Sequence, residues 1–272
     1  FPEATATNEI LVTGASGSTT QAWILIYSFV LSALYTFAAT ALKLFSDRFT
    51  TGMAKAAERL GVRCLYGQDV LSLHSNGTKA EVTVADGEGH KTHYFDGLVV
   101  CAGVESRRFA AQLGDRVNIY PVKGYSITVN LPDAQSQVAA PTVSLLDDET
   151  KLVTSRLGVD RFRVAGTAEF NGYNKDIRAD RIRPLVGWVN QCFPGVNTRQ
   201  VVPWAGLRPM MPNMMPRVGR GRAPNVFYNT GHGHLGWTLS AVTADMVGSV
   251  VAENFEAQTL GTTSAGIDLR VR

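Results

Sequence analysis

The sequence predicts an α/β protein with an antiparallel portion in its middle. Three observations carry this. Helix-period and strand-period segments alternate from residue 46 to residue 254. Residues 97–102, Gly-Leu-Val-Val-Cys-Ala, form a continuous apolar run, the mark of a strand buried on both faces. Between residues 119 and 168 strand patterns follow one another without a helix. The composition agrees: 45% of the 272 residues are hydrophobic and 18% charged, which excludes a disordered chain, a collagen and a disulfide-stapled miniprotein. Twenty-six basic residues against twenty-three acidic ones give a dispersed +3, too little to argue for a nucleic-acid partner. Cys64, Cys101 and Cys192 lie far apart, so they read as buried thiols or as a reducing compartment, and no metal-ligand spacing is present.

Taken in order, residues 1–45 stand apart. No charged side chain lies between Glu9 and Lys43. Residues 10–17, Ile-Leu-Val-Thr-Gly-Ala-Ser-Gly, look like a strand feeding a dinucleotide turn, but Thr20 stands where a third glycine belongs and no acid follows about twenty residues later. The apolar run of residues 23–45 is long enough to cross a bilayer, which takes roughly 20 residues. Ser28, Ser32, Thr36 and Thr40 recur every four residues and would form one small polar stripe on a helix. A membrane span and a buried core helix both fit that stripe. Glu3 and Glu9 precede the run without a basic region, which argues against a cleaved signal peptide. The first residue is Phe1, so the chain reads as processed or as a fragment.

A helix follows, capped by Ser46, with Phe49, Met53, Ala56, Ala57 and Leu60 at helical spacing and Gly61 as its stop. Short strands are predicted at 62–66 and 70–73, and a hairpin at 80–85 and 90–95 around Asp86-Gly87-Glu88-Gly89. Further strands are predicted at 119–129, 142–154, 161–168 and 225–229. Helices are predicted at 180–192 and 238–254, the latter with Leu239, Val242, Met246 and Val250 on one face. The tail from Glu256 reads as loose and polar.

Four segments offer chemistry. Residues 229–237, Asn-Thr-Gly-His-Gly-His-Leu-Gly-Trp, follow a buried strand and open a helix. Their glycines allow close backbone approach, and the helix start favours an anion or a polarised carbonyl. A tight strand-to-helix turn with incidental His232 and His234 is the bland alternative, and no cysteine or carboxylate stands at zinc spacing. Arg208, in Gly206-Leu207-Arg208-Pro209-Met210, is suited to fork onto a carboxylate or to cap a loop carbonyl. Met210, Met211, Met214 and Met215 read as apolar packing rather than a soft-metal site. The run ending at Gly103 can abut a flat cofactor. Arg217, Arg220 and Arg222 read as a solvated loop.

Together these segments resemble the FAD-dependent D-amino acid dehydrogenase family, a branch of the glycine oxidase and D-amino acid oxidase group. The resemblance rests on residues 49–62, FTTGMAKAAERLGV; 98–103, LVVCAG; 120–128, YPVKGYSIT; 163–169, RVAGTAE; 204–219, WAGLRPMMPNMMPRVG; and 229–240, NTGHGHLGWTLS. They occur in family order over three quarters of the chain, and GLRPM followed by GHGHLGW is a specific pair. The resemblance implies a partial Rossmann-like FAD-binding domain, residues 46–119 and 205–255, with an inserted antiparallel-sheet substrate domain, residues 120–204. A divergent segment, 1–45, precedes them and a polar tail, 256–272, follows.

By the same resemblance the cofactor is FAD. Gly231, His232, Gly233, His234, Leu235, Gly236 and Trp237 would pass the flavin pyrimidine edge, Ala102 and Gly103 would lie near the dinucleotide, and Val70 by the adenine. Arg208 would hold the substrate carboxylate, and Tyr125 would line the pocket. The implied reaction is hydride transfer from the Cα of a D-amino acid to flavin N5, then hydrolysis of the imino acid to a 2-oxo acid and ammonia. Electrons would pass to a quinone-type acceptor. Localisation would be membrane-associated or cytoplasmic, mitochondrial in a eukaryote, with membrane contact through residues 22–45.

Two departures stand out. The family's N-terminal GxGxxG turn is missing or replaced, and Asn213-Met214 stands where Asp-Gly is usual. The first leaves open a fragment, one subunit of a split flavoenzyme with a partner, or a degenerate membrane-associated remnant. The second puts Met214 where positive φ is costly.

Overall fold

The computed structural model describes residues 49–85, 87 and 89–264. The apolar run of residues 23–45, with the membrane contact expected through residues 22–45, and the glycine-bearing stretch of residues 10–17 lie outside the described residues. No helix among the described residues is long and apolar enough to cross a membrane.

The chain divides into two compact units, residues up to 71 with 82–93, and residues 72–81 with those from 94 onward. The first holds α1 (Phe49–Arg59). Gly61 terminates this helix at φ +89°, with the Gly61 and Val62 amides turned back onto the carbonyls of Glu58 and Ala57. Residues 62–66 are irregular rather than the strand expected of them. β1 (Asp69–Ser75), β2 (Ala80–Ala85) and β3 (His90–Phe95) follow as a small sheet in the order β1-β2-β3, and the unit division runs through these strands.

The second unit is built on two further sheets. In the first, β4 (Leu98–Val100) pairs in parallel with β11 (Val226–Thr230), and β11 pairs antiparallel with β10 (Arg217–Arg220). The strand expected at 97–102 is therefore only three residues long, and Val99 is 38% exposed rather than buried on both faces. Arg217 and Arg220 belong to a strand and not to a solvated loop. A single 3-10 turn (Gly103–Glu105) and α2 (Ser106–Gln112) leave the end of β4.

The other sheet has five strands in the order β6-β7-β8-β5-β9. These are β5 (Tyr120–Asn130), β6 (Leu146–Asp147), β7 (Leu152–Arg156), β8 (Arg161–Phe170) and β9 (Val201–Met210). All its pairings are antiparallel. The single strand expected at 142–154 is split in two by a turn. There Asp147 accepts from the Glu149 and Thr150 amides and the Thr150 hydroxyl. β9 carries the antiparallel sheet to Met210, past Trp204.

Two helices cross from within this sheet's connections. α3 (Ala134–Ala139) starts at Asp133, whose carboxylate accepts from the Ser136 amide at 2.7 Å. α4 (Ala179–Cys192) lays Leu185 and Val189 against Tyr125, Ile127, Val129, Phe162 and Val164, and this is the core. α5 (Gly236–Ser264) runs on past Glu256, so the loose tail expected there is helical through Ser264. Among its described side chains Thr243, Val247 and Asn254 are buried, while Val242 and Met246 of the expected face are exposed.

Candidate functional site

The carboxyl ends of two neighbouring parallel strands, β4 and β11, open the site. Ligands of α/β sheets bind at such ends. One buried hydroxyl ties the two together. Ser106 Oγ accepts from the Ala102 amide at 3.0 Å and from Thr230 Oγ1 at 2.7 Å. Both strands then leave through a glycine in the left-handed region, Gly103 at φ +55° and Gly231 at φ +81°. A Cβ at Gly103 would meet nothing within 4 Å, so space is open above the end of β4.

Past Gly231 the backbone turns again at Gly233, φ +58°, and enters α5 at Gly236. The turn is braced on one side by the end of β9. The Gly233 amide donates to Pro209 O at 3.0 Å, and Met210 bridges His232. A Cβ at Gly231 would fall 2.7 Å from Met211 Cγ, and one at Gly233 would fall 2.7 Å from Met210 Sδ. The two methionines thus pack on the turn as apolar filling. His232 points back along α5, its Nε2 3.1 Å from Thr243 Oγ1, and burial pushes its pKa down. The first amides of α5, which follow this turn, have no intrahelical acceptor. His234, Leu235 and Trp237 are exposed.

Arg208 stands on the adjoining sheet. β5 and β9 pair without irregularity, with Gly124 opposite Gly206 and Val122 opposite Arg208. Alternation therefore puts Val122, Gly124, Ser126, Gly206 and Arg208 on one face and Lys123, Tyr125 and Ile127 on the other. The guanidinium lies over Gly124 and donates to Thr167 O at 2.8 Å. Among the described residues no carboxylate lies within ion-pair reach of Arg208, and burial lowers its pKa. Further along this face Arg163 donates to Ser126 Oγ at 3.0 Å and lies 5.4 Å from the centre of the Trp204 ring.

The opposite face holds a buried ionic cluster. Glu169 Oε2 accepts from the Tyr125 hydroxyl at 2.7 Å and pairs with Lys123 Nζ at 3.0 Å. Its Oε1 takes Arg178 at 3.0 Å and Arg181 at 3.3 Å. Hydrogen bonding from Tyr125, then Lys123 and Arg181, outweighs burial and holds the Glu169 carboxyl at about 2. Burial alone would lower Lys123, but its bonds to Tyr125 and Glu169 leave it raised.

The structure brings Ala102, Gly103 and Gly231 to Gly236 together at two adjoining strand ends, with Arg208 two residues before the Met210 bridge to that turn. It does not bring Tyr125 to them. Tyr125 is 1% exposed, turned into the core on the face away from Arg208. Val70 lies on β1 in the other compact unit. Thr230 lies within the glycine-rich segment 229–237, whereas its partner Ser106 carries no such motif, and Lys123 has no role in the sequence reading. A serine four residues past a strand-ending alanine is the signal for Ser106. Parity along β5 is the signal for Lys123.

The family profile described as FAD dependent oxidoreductase (DAO) matches residues 32–249. The chain is 59% identical over 205 residues to D-amino acid dehydrogenase 3 of Mesorhizobium japonicum, covering 75% of this chain and 50% of that one. It is 39% identical over 210 residues to the D-amino acid dehydrogenase of Dechloromonas aromatica, covering 76% and 49%. The chain thus spans about half the length of the curated relatives it matches. Among solved structures, glycine oxidase from Bacillus cereus aligns at a TM-score of 0.62 with 19% identity, over 75% of this chain and 55% of that one. L-Proline dehydrogenase from P. horikoshii aligns at 0.62 with 16% identity, over 75% and 54%. These two show the fold, and the profile match extends through both strand ends, Arg208 and the start of α5: the chain belongs to the DAO family of FAD-dependent oxidoreductases.

Proposed function

We propose that this chain carries the flavin-edge and substrate-binding part of a D-amino acid dehydrogenase, oxidising D-amino acids to 2-oxo acids and ammonia with electrons passed to a quinone-type acceptor. The observation that carries the reading is the uncompensated guanidinium of Arg208, half-buried on an open sheet face beside the glycine turn. The two terminal nitrogens of the fork donate to Thr167 O at 2.8 Å and Gly166 O at 3.5 Å, and the guanidinium keeps further N–H donors for a carboxylate, which would compensate its charge. The relatives named D-amino acid dehydrogenase supply the substrate class.

The residues present fit the flavin end of FAD. Space is open above Gly103, the turn from Gly231 to Gly236 presents backbone at a helix start, and buried Asn229 Oδ1, two residues before Gly231, has no hydrogen-bond partner. Gly103, Gly231, Gly233 and Gly236 would hold the ring and its adjoining chain. When bound, FAD supplies the two-electron acceptor for hydride loss from the substrate Cα. Arg208 then fixes the carboxylate end, so that the Cα is held in one orientation. Hydrolysis of the imino acid needs only water. No dedicated acid or base is required of the protein for that step.

A second reading rests on β4. Among the described residues β4 pairs only with β11, leaving one edge without a strand. With half the relatives' length, this favours a chain completed by a further polypeptide segment or subunit. The visible absorbance spectrum of the purified chain, with added FAD and then a D-amino acid mixture under anaerobic conditions, separates the two. Bound flavin that bleaches, and an Arg208→Ala variant that binds flavin without bleaching, support the first. Flavin bound only when a co-expressed partner is present supports the second.

A further inference from the structure

We propose that Glu169, with Lys123 and Tyr125, is a positioning network for Arg208: it anchors β8 from the buried face of the sheet and so fixes the carbonyl that aims the guanidinium on the open face. This rests on the reading of Arg208 as the carboxylate clamp.

The argument starts from register. On β5, Lys123 pairs with Glu169, but Tyr125 pairs with Gly166. Gly124 therefore faces two residues, Thr167 and Ala168, and β8 bulges at that point. Thr167 sits at φ +68°. A β-branched residue has no local preference for that region, so the surroundings must impose it. The bulge is also what turns the Thr167 carbonyl toward Arg208, 2.8 Å away. A regular ladder would have bonded that strand to β5 instead.

On the N-terminal side of the bulge, Arg161 to Gly166 is held by ladder pairing to β5. On the C-terminal side the ladder resumes with Lys123 opposite Glu169 and Val122 opposite Phe170, and the Glu169 side chain adds a second anchor there. Both of its oxygens are saturated, by Tyr125 and Lys123 on one and by Arg178 and Arg181 on the other. Lys123 is 0% exposed, and it also donates to Asn174 Oδ1 and Asp176 O, each at 3.1 Å, which ties down the segment after β8. A buried ion pair is weak as a source of stability against an apolar replacement, and its use lies in fixing one arrangement. Here the arrangement fixed is the strand immediately past the bulge. Tyr125, whose hydroxyl reaches Glu169 and not the open face, enters the site through this network as a positioning residue.

The test uses the full chain and two readouts, solvent exchange of the Arg208 guanidinium protons by nitrogen-15 NMR and the affinity for propionate, the deamino analogue of alanine. Glu169→Gln keeps the shape and removes the charge. Tyr125→Phe keeps the ion pair and removes one hydrogen bond. Asp133→Ala, which uncaps α3 elsewhere in the same unit, serves as a control that lowers stability alone. Arg208 exchange is expected to rise about tenfold in Glu169→Gln, the equivalent of one charge-assisted hydrogen bond, with propionate affinity falling about as much. Tyr125→Phe is expected to shift both in the same direction by less, and Asp133→Ala to shift neither. Unchanged Arg208 exchange in a folded Glu169→Gln overturns the proposal. If that variant does not fold, unchanged exchange in Tyr125→Phe overturns it. Should Arg208→Ala bind propionate as the unaltered chain does, the clamp reading fails, while the exchange data still decide whether Glu169 positions Arg208.

Discussion

The guanidinium of Arg208 occupies the place where a side chain on Gly124 would begin. A Cβ built on Gly124 falls 2.3 Å from Arg208 Cζ. The two residues lie on neighbouring strands, β5 and β9, on the same face. The glycine is there for space and not for conformation, since its φ is an ordinary one. What it makes room for is a cation lying flat on the sheet, fixed by the Thr167 carbonyl. The exposed bulk of the face belongs to Trp204, whose indole in turn lies where a Cβ on Gly206 would be. Two glycines paired across the strands, Gly124 and Gly206, thus give two large side chains a floor.

Gly124→Ala tests this directly. The clashing atoms are the far end of a flexible side chain, so Arg208 is expected to swing away while the sheet stays folded. The thermal midpoint should move by only a few degrees, about what 1 kcal/mol does in a domain of this size. Affinity for a simple carboxylate should fall about tenfold, the worth of a misaligned charged hydrogen bond. A variant that unfolds, or that binds the carboxylate as before, contradicts the arrangement.

The junction of the two strand ends makes a second prediction. Ser106 is fully buried, and its hydroxyl serves both the Ala102 amide and Thr230 Oγ1. Ser106→Ala leaves that amide without its partner and weakens the hold on Thr230. The expected loss is about 1 to 3 kcal/mol, the cost of a buried polar group left unmade. Chemical denaturation measures it. Because the break lies beside Gly103, flavin affinity should drop in the same variant, whereas Asp133→Ala should lower stability and leave flavin affinity alone.

How much of this was legible in the sequence depends on which physical signal each residue leaves. The hairpin strands 80–85 and 90–95 and the long strand from Tyr120 show period-two alternation, and the structure has them there. The glycines around His232 announce a turn because few other residues take its φ values. β9 is nearly silent beyond Trp204, since Pro203, Gly206 and Pro209 look like strand breakers. They are tolerated because β9 is the edge of the sheet, where a missing amide costs no ladder bond. The helix beyond Glu256 carries no apolar stripe strong enough to announce it. Glu169 is the deepest silence. Its role depends on a bulge that shifts register by one residue and on partners 44 and 46 positions away, and neither is a local property of the chain. The resemblance implies that Tyr125 lines the pocket, whereas parity along β5 puts it on the other face.

Met214 is a strained residue with a simple remedy. Its φ is +59°, and its amide closes a turn onto Met211 O at 3.0 Å. Holding a side chain in that region costs about 1 to 2 kcal/mol, part of which glycine would return as unfolded-state freedom. Met214→Gly is therefore expected to raise stability by about 0.5 to 1 kcal/mol, read as a higher denaturation midpoint at unchanged slope. A lower midpoint would mean that packing of the thioether outweighs the backbone strain.

The buried carboxylate fixes the acid limb of stability. Glu169 sits at about 2 where 4.5 is usual, because the Tyr125 hydroxyl, then Lys123 and Arg181, favour its ionised form against burial. A folded-state value below the unfolded one means that the unfolded chain binds the proton first. The contribution is therefore complete above about pH 4.5 and is lost as pH falls toward 2. Asp147 adds to the same window, held at about 2 by the Thr150 hydroxyl and the Trp188 indole. The denaturation midpoint should thus fall steeply within this window, below a shallower decline that starts near pH 6.5, where His232, its pKa lowered by burial, is protonated first in the unfolded chain. Glu169→Gln should start lower at neutral pH and lose less on acidification, because the group that would have taken up the proton is gone. Asp147→Asn should shorten the fall in the same way, independently, since it lies in a turn outside the Glu169 cluster. If Glu169→Gln instead loses as much stability between pH 4.5 and 2 as the unaltered chain, the acid transition does not run through the carboxylate that anchors β8.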